Sequence, residues 1–542
     1  MSSTSLPATR LPRAFAPLRH PVFRTLWLAT LASNTGMWVQ NTGAGWLMTS
    51  LDPSPFMVSM VQAASMLPVF LLALPAGALA DIVDRRRFLI GAQLWMLLMA
   101  ILLAVLAATD ALGPWGLLAI TFGIGAGTAI NFPAWAATTP ELVPREDLVG
   151  AVALNGIGFN LARALGPALG GFAIAAAGPE AAFALNAFAF LLLIVALVAW
   201  RRPASTRSTL PKEHLIGAMG AGLRFVAASP AMQAATLRAC AFFLPAAAVW
   251  GLLPLYVRGK LGLGPEAFGL MLGVMGVSAV GAGFILPAIR ARLDRGTLVF
   301  RASLLVALAM GLLALAEHWL PAALAMALYG AAWIAAGSTL AVSAQTAAPA
   351  WVRARAIAIY QLSFFGMMAF GAALAGWLGA RFGVAPALAA ASVGGIALSL
   401  LVRPWRLDPA ATPAAREGDT PAAVPMPEAP AAELEKLLGE RSGRVLEVVR
   451  YCIDPVDRAA FLDAMQEVRR VRLRSGALTW RLYEDVAHPE RWAEFWAVEN
   501  WTEHLREANR LTENDVEALA RAAALHRADA PPEASRYLNV PP

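Results

Sequence analysis

Lysine is nearly absent from this chain. Of its 43 basic residues only Lys212, Lys260 and Lys436 are lysines, a bias that genome composition explains before function does. Cysteine is scarcer still, with Cys240 in an apolar run and Cys452 in a polar C-terminal region. Two thiols on opposite sides of a domain boundary exclude a disulfide framework and offer no cysteine metal cluster. Charge is sparse: 15% of the 542 residues are charged and 58% hydrophobic, with a mean hydropathy of +0.58. That composition excludes a soluble protein of this length. Aspartate and glutamate are missing from the interiors of the long apolar runs, where Asp110, Glu141, Glu180, Glu266 and Glu317 stand near ends. The opening MSSTSLPATRLPRAFAPLRH has no apolar core with a small-residue cleavage site, so no removable signal peptide is expected.

What is present is membrane. Roughly twelve apolar runs of about twenty residues, the length that crosses a hydrocarbon core, follow one another across residues 23–401. The net charge of +7 and the high pI resemble a nucleic-acid binder's. The arginines, however, gather in alternate loops, at Arg10 to Arg24, Arg85 to Arg87, Arg145, Arg201 to Lys212, Arg290 to Arg295, Arg353 to Arg355 and Arg403 to Arg406. That is a topology signal; it excludes nucleic acid as the partner and places both termini in the cytoplasm of a multi-pass inner-membrane protein. A longer basic loop divides the runs into two sets of six, and VPREDL at Val143 is echoed by VRARAI at Val352. The expected organisation is a six-helix half over 1–200, a cytoplasmic linker over 201–229, a second half over 230–403, a flexible linker over 404–432 and a soluble domain over 433–542. Two similar halves around a midplane cavity are the architecture of a rocking transporter.

The stretch GALADIVDRRR puts Gly77 and Asp81 just before Arg85, Arg86 and Arg87. A glycine allows close helix approach, and a carboxylate beside arginines at a membrane surface can lock one state and release it in another. The plain alternative is a basic turn that obeys the positive-inside bias. The stretch resembles the loop signature of the major facilitator superfamily, G-x-L-a-D-r-x-G-r-k, through Gly77, Leu79, Ala80, Asp81, Arg85 and Arg86, with departures at Ile82 and Asp84. The resemblance implies a gate, locked by charge contact with the helix that begins near Ala354.

In the fifth run, Asn155, Asn160 and Arg163 precede Gly166, Pro167, Gly170 and Gly171. A GPxxGG run bends a helix and lets another pack against it. It resembles the end of the antiporter motif of superfamily exporters, whose two leading glycines here fall on Ala153 and Ala162. Polar groups within spans tend to face a cavity or a partner helix. Trp38, Asn41, Asn155, Asn160, Arg163 and Arg238 are the candidate cavity residues; each arginine must find an anion, backbone carbonyls or water. Trp27, Trp46, Trp250, Trp333 and Trp351 read mostly as interfacial anchors. With no acid inside a span, proton coupling would fall to an end-of-helix acid such as Glu141 or Asp81, and Thr121 stands nearest the place of the arginine that many drug antiporters carry on the fourth helix.

From about Glu433 a soluble unit reads as βαββα, a split βαβ, ferredoxin-like arrangement whose small open sheet invites self-association. The run RWAEFWAVENWTEHLREANRLT, with Trp492, Phe495, Trp501 and His504, resembles the dimeric α/β barrel domains of antibiotic-biosynthesis-type monooxygenases, which would put a substrate near His504. Taken with FRTLWLATLASNTGMWVQNTGAGWL, PAWAATTPELVPREDL and PAWVRARAIAIYQL, the chain resembles the transmembrane secretion effector branch of the superfamily, to which enterobactin exporters are similar. The resemblance implies an all-α polytopic fold of twelve transmembrane helices and export of small amphipathic molecules by alternating access with proton coupling. Two separated cysteines lead us to expect no cofactor or metal, and a lone histidine no enzymatic activity. Import by the same fold, and a membrane anchor for a ligand-binding or monooxygenase-like tail, remain open.

Overall fold

A computed structural model describes residues 13–200, 215–349, 352–407, 443–508, 510–511, 513–528 and 530–539. The linker expected over 404–432 thus lies almost wholly outside the described residues, as do Arg201, Arg202, Arg207, Lys212 and Trp351. Contacts divide the chain into two compact units.

The first unit, Met1–Leu210, Thr236–Val342 and Tyr360–Trp405, is a helical bundle. Its first half contains α1 (Pro21–Leu51), α2 (Pro55–Ile82), α3 (Arg85–Ala108), α4 (Pro114–Leu142), α5 (Leu148–Ala177) and α6 (Pro179–Ala199). The second is built from α8 (Pro230–Leu255, continued by a π-helical turn at Tyr256–Lys260), α9 (Pro265–Arg290), α10 (Arg295–Leu315), α11 (Trp319–Ala347), α12 (Arg353–Phe382) and α13 (Val384–Leu401). Eleven described helices are long and apolar enough to cross a membrane. The twelfth of the bundle, α1, has 31 residues and owes its lower hydropathy to Ser33, Asn34, Gln40, Asn41 and Thr42, all of which line the cavity described below. Local chemistry sets the helix ends: Pro21, Pro55, Pro114, Pro179 and Pro265 stand in first turns, where a missing N–H costs nothing. Gly178 and Gly383 take left-handed φ values of +81° and +93° in tight turns between helices.

In this bundle α1 packs on α5 and α6, α2 on α4, and α3 on α4 and α6, while α5 crosses to α9 of the other half. The crossing is a backbone contact. A Cβ on Gly171 would lie 2.6 Å from the Pro265 carbonyl oxygen, and one on Gly269 would lie 2.5 Å from that of Pro167. The α2 and α12 helices meet similarly, at Pro55 with Gly379, Ser59 with Gly376 and Phe70 with Gly366.

The second unit is Pro211–Ala235, Ser343–Ile359 and Arg406–Pro542. It contains α7 (Leu215–Ala228), which packs on α14 (Arg458–Ser475). The C-terminal part orders as β1 (Val445–Cys452), α14, β2 (Thr479–Glu484), β3 (Arg491–Val498), α15 (Trp501–Ala508), α16 (Glu513–Ala524) and β4 (Glu533–Leu538). The sheet runs β2-β3-β1-β4, antiparallel throughout, with Val445 opposite both Val498 and Leu538. The expected βαββα therefore gains a final strand on the β1 edge, and its second helix is two, α15 and α16. One sheet face carries Val445, Val449, Tyr451, Trp492, Trp496 and Val498 into a core with Phe461, Met465, Val468 and Val471 of α14.

Candidate substrate cavity

A cavity of about 720 Å³ lies inside the helical bundle, lined by residues of both halves. Its wall is aromatic. Trp38 meets Trp250 at 5.7 Å and Phe159 at 6.5 Å between ring centroids; Trp250 meets Trp333 at 5.8 Å, and Phe243 bridges Trp333 to Phe364 at 5.3 and 4.6 Å. Offset and edge-on arrangements like these hold rings firmly and leave their faces and edges to a flat ligand.

Arg163 on α5 is the one guanidinium or ammonium among the described lining residues, and no aspartate or glutamate is among them. Asn160, one turn earlier on α5, accepts a hydrogen bond of 3.1 Å from Arg163 Nη2 while its own amide donates to the Gly156 carbonyl. A guanidinium has five N–H donors. One is engaged by Asn160, so the others face the cavity or solvent. Several buried polar atoms of lining residues also have no protein partner: Thr30 Oγ1, Gln93 Oε1, Thr121 Oγ1 and Asn155 Oδ1. Buried polar atoms need partners, and these are placed to find theirs on a ligand or water.

Of the expected cavity residues, Trp38, Asn41, Asn155 and Arg163 line it. Asn160 stands behind Arg163. Arg238 is elsewhere: it is buried in the second half, where it donates to the backbone carbonyls of Trp405 (2.8 Å), Gly296 (2.9 Å) and Arg403 (3.1 Å). These carbonyls, with Asp294 nearby, hold it away from the cavity, which corrects the expectation that it lines it. Trp27, Trp250 and Trp333 are corrected in the opposite sense, from interfacial anchors to cavity wall. Trp333 sits at the midpoint of α11, far from either interface, and that position was the available signal. Thr121 lines the cavity as well. Gln93, Tyr360, Gln361 and Phe364 drew no notice from sequence, because nothing local distinguishes a cavity-facing residue of a uniformly apolar helix. Other span amides do pair between helices, as Gln93 with Asn131 at 3.0 Å, Asn155 with Thr139 at 3.1 Å, and Asn186 with Gln40.

A profile of the transmembrane secretion effector family matches residues 12–541. The chain belongs to that family. Among its relatives, the enterobactin exporter EntS of Escherichia coli strain 536 is 25% identical over 392 residues, which are 70% of this chain and 90% of the exporter. The uncharacterized transporter YfiS of Bacillus subtilis strain 168 is 28% identical over 308 residues, 54% of this chain and 72% of that one. In fold, the chain is similar to an inward-facing bacterial homologue of the lysosomal transporter Spinster (TM-score 0.59, 14% identity, covering 73% of this chain and all of that one). It is also similar to a POT family transporter solved with 5-aminolevulinic acid (TM-score 0.59, 12% identity, 70% and 95% covered). This secretion effector is thus a multi-pass membrane transporter of the major facilitator superfamily with a small-molecule substrate.

The effector's loop motif resolves into separate contacts. Asp84 caps α3 by accepting from the Arg87 backbone N–H, which explains its departure from the signature. Arg85 pairs with Glu141 at the end of α4 (2.7 Å), and Arg86 donates to the Leu197 and Val198 carbonyls at the end of α6, where a cation suits the helix dipole. Gly77 and Asp81 fall in the last turns of α2; their side-chain surroundings lie outside the described residues. Gly166 and Gly170 press on α1, where a Cβ would meet Trp38 Cβ at 2.5 Å and Val39 Cα at 3.1 Å, and Gly171 presses on α9. Pro167, within the same helix, puts its carbonyl against Gly269.

Proposed function

We propose that this chain exports small, flat, amphipathic molecules bearing an anionic or oxygen-rich group across the inner membrane, by alternating access and with proton coupling, both termini being cytoplasmic. The observation that carries the reading is the cavity, aromatic on its walls, with one guanidinium and no carboxylate among its described lining residues. Such a site favours an aromatic anion through stacking and charge-assisted hydrogen bonds. The similarity to an enterobactin exporter supports export and a siderophore-like cargo.

The α5–α9 and α2–α12 seams act as the closed end of this state, with Arg258 reaching across to Thr49 (2.8 Å) and Ser50 (2.5 Å) beside a stacked Trp46 and Phe268. The gate at the other end is Gly77, Asp81, Arg85, Arg86 and Arg87. Because no acid is among the described lining residues, the coupling proton is taken by a helix-end carboxylate, and Glu141 is suited because its protonation would weaken its ion pair with Arg85. The C-terminal unit is a ferredoxin-like domain of the dimeric barrel type, and its second sheet face, with Leu446, Tyr483, Phe495 and Tyr537, supports self-association.

The test is efflux of catecholate-like and neutral aromatic compounds from loaded cells, with and without a protonophore. Asp81→Asn is expected to abolish efflux with the protein still in the membrane, and Glu141→Gln to remove sensitivity to the protonophore. Net uptake would make the chain an importer, and full activity of Asp81→Asn would remove the gate.

A further inference from the structure

The C-terminal domain buries an unusual number of acids. Glu447 occupies the apolar phase of β1 with Val445 and Val449, and Glu494 that of β3 with Trp492 and Trp496, so both point into the core beneath the helices. Glu507 enters the same space from α15. Three cations are near among the described residues: Arg472 of α14, Arg536 of β4, which lies opposite Glu447 with its guanidinium over the Trp501 ring at 5.7 Å, and, when protonated, His504 of α15.

Glu494 is fully provided for. Its Oε1 accepts from Arg472 Nε at 3.1 Å and Trp480 Nε1 at 3.0 Å, and its Oε2 from the Tyr451 hydroxyl at 3.2 Å. Glu507 is not. Its Oε2 accepts from Trp496 Nε1 at 3.2 Å, but Oε1 has no hydrogen-bond partner on a side chain that is 6% exposed, and Arg472 Nη1 stops 3.8 Å away. Glu447 meets His504 Nδ1. Arg472 thus hydrogen-bonds Glu494 and stands only at ion-pair distance from Glu507, whose Oε1 is left without a hydrogen-bond donor. A buried carboxylate oxygen without a hydrogen-bond donor is costly, so Glu507 Oε1 calls for a further electropositive partner.

We propose that Glu447, His504 and Glu507 bind a divalent transition-metal ion. Ligand atoms of the three residues lie within 4.8 Å of one another. Bonds to zinc of roughly 2.0–2.2 Å in tetrahedral geometry set donors about 3.4 Å apart, so a shift of about 1 Å closes the site. One nitrogen and two carboxylate donors suit zinc, iron, cobalt or manganese. The site leaves positions for water or a ligand, as three-residue metal sites do. His504 is the rim donor, its side chain 13% exposed with the Trp501 ring at 4.9 Å, and it gives the ion its way in. This reverses the expectation of no metal, which rested on cysteine count and on a chain read chiefly as membrane.

The test uses the full-length protein, purified in detergent with its affinity tag removed, equilibrated with Zn²⁺ or Co²⁺ and passed through a desalting column. Metal content by mass spectrometry should approach one ion per chain, and Co²⁺ should give the visible bands of a nitrogen and oxygen site. Glu507→Gln, which keeps the shape of the side chain, and His504→Ala should each weaken Co²⁺ binding tenfold or more, the scale seen for lost support of a metal site. Circular dichroism shows that each variant is folded. Absence of retained metal, or binding equal in wild type and both variants, overturns the proposal.

Discussion

Two arginines illustrate how one side chain serves two ends. Arg163 reaches the cavity and donates to Asn160, whereas Arg238 is held by three carbonyls, of Gly296 in the first turn of α10 and of Arg403 and Trp405 after α13. Replacing the first should change binding, and replacing the second should change stability. Arg163→Ala is expected to weaken an anionic aromatic substrate by about thirtyfold, the equivalent of about 2 kcal/mol for a charge-assisted hydrogen bond, and to leave its neutral ester nearly unaffected. Arg238→Ala should lower the melting temperature of the detergent-solubilised protein and leave the dissociation constant in place. Tryptophan-fluorescence titration and a thermal melt separate the two, and a binding defect in Arg238→Ala with unchanged stability would return it to the cavity. Both residues were legible as arginines inside spans. Their separation was not, because the carbonyls that hold Arg238 belong to residues up to 167 positions away.

At the scale of elements, the helices were legible from apolar length and the sheet from its alternation, because those periods are local. The final strand β4 was not: EASRYL is short and polar, and it forms only because β1 offers an edge. The glycine seam of α5 and α9 was half legible, since GPxxGG announces close packing without naming the partner. Its consequence can be tested by bulk. At Gly171 the added methyl group meets backbone, which cannot swing aside as a side chain can, so Gly171→Val should push α9 away at a cost of about 1–3 kcal/mol. We expect a lower melting temperature and at least a tenfold loss of efflux, measured on cells matched for membrane content. Gly281→Val on α9, where a Cβ would meet nothing within 4 Å, is the control and should behave as wild type. Equal behaviour of the two variants would mean that the halves do not depend on this seam.

For the whole molecule, the question is whether the C-terminal unit is the working part or a companion to the transporter. The cavity is formed entirely by helices of the first unit, so a chain ending after Arg406 keeps every described lining residue. The same truncation uncovers the face of α7 that packs on α14, exposing apolar surface. Two effects of opposite kind therefore follow: the truncated chain should accumulate to a lower level, and each molecule that reaches the membrane should still move substrate. Efflux normalised to membrane-resident protein is expected to stay within a few fold of wild type and to vanish when Arg163→Ala is added. Loss of all transport at normal abundance would instead make the bundle an anchor for the tail. The full chain's response to added Zn²⁺ completes the argument: if the acidic pocket of the tail tunes transport, zinc should alter efflux by the intact protein and leave the truncated one unchanged.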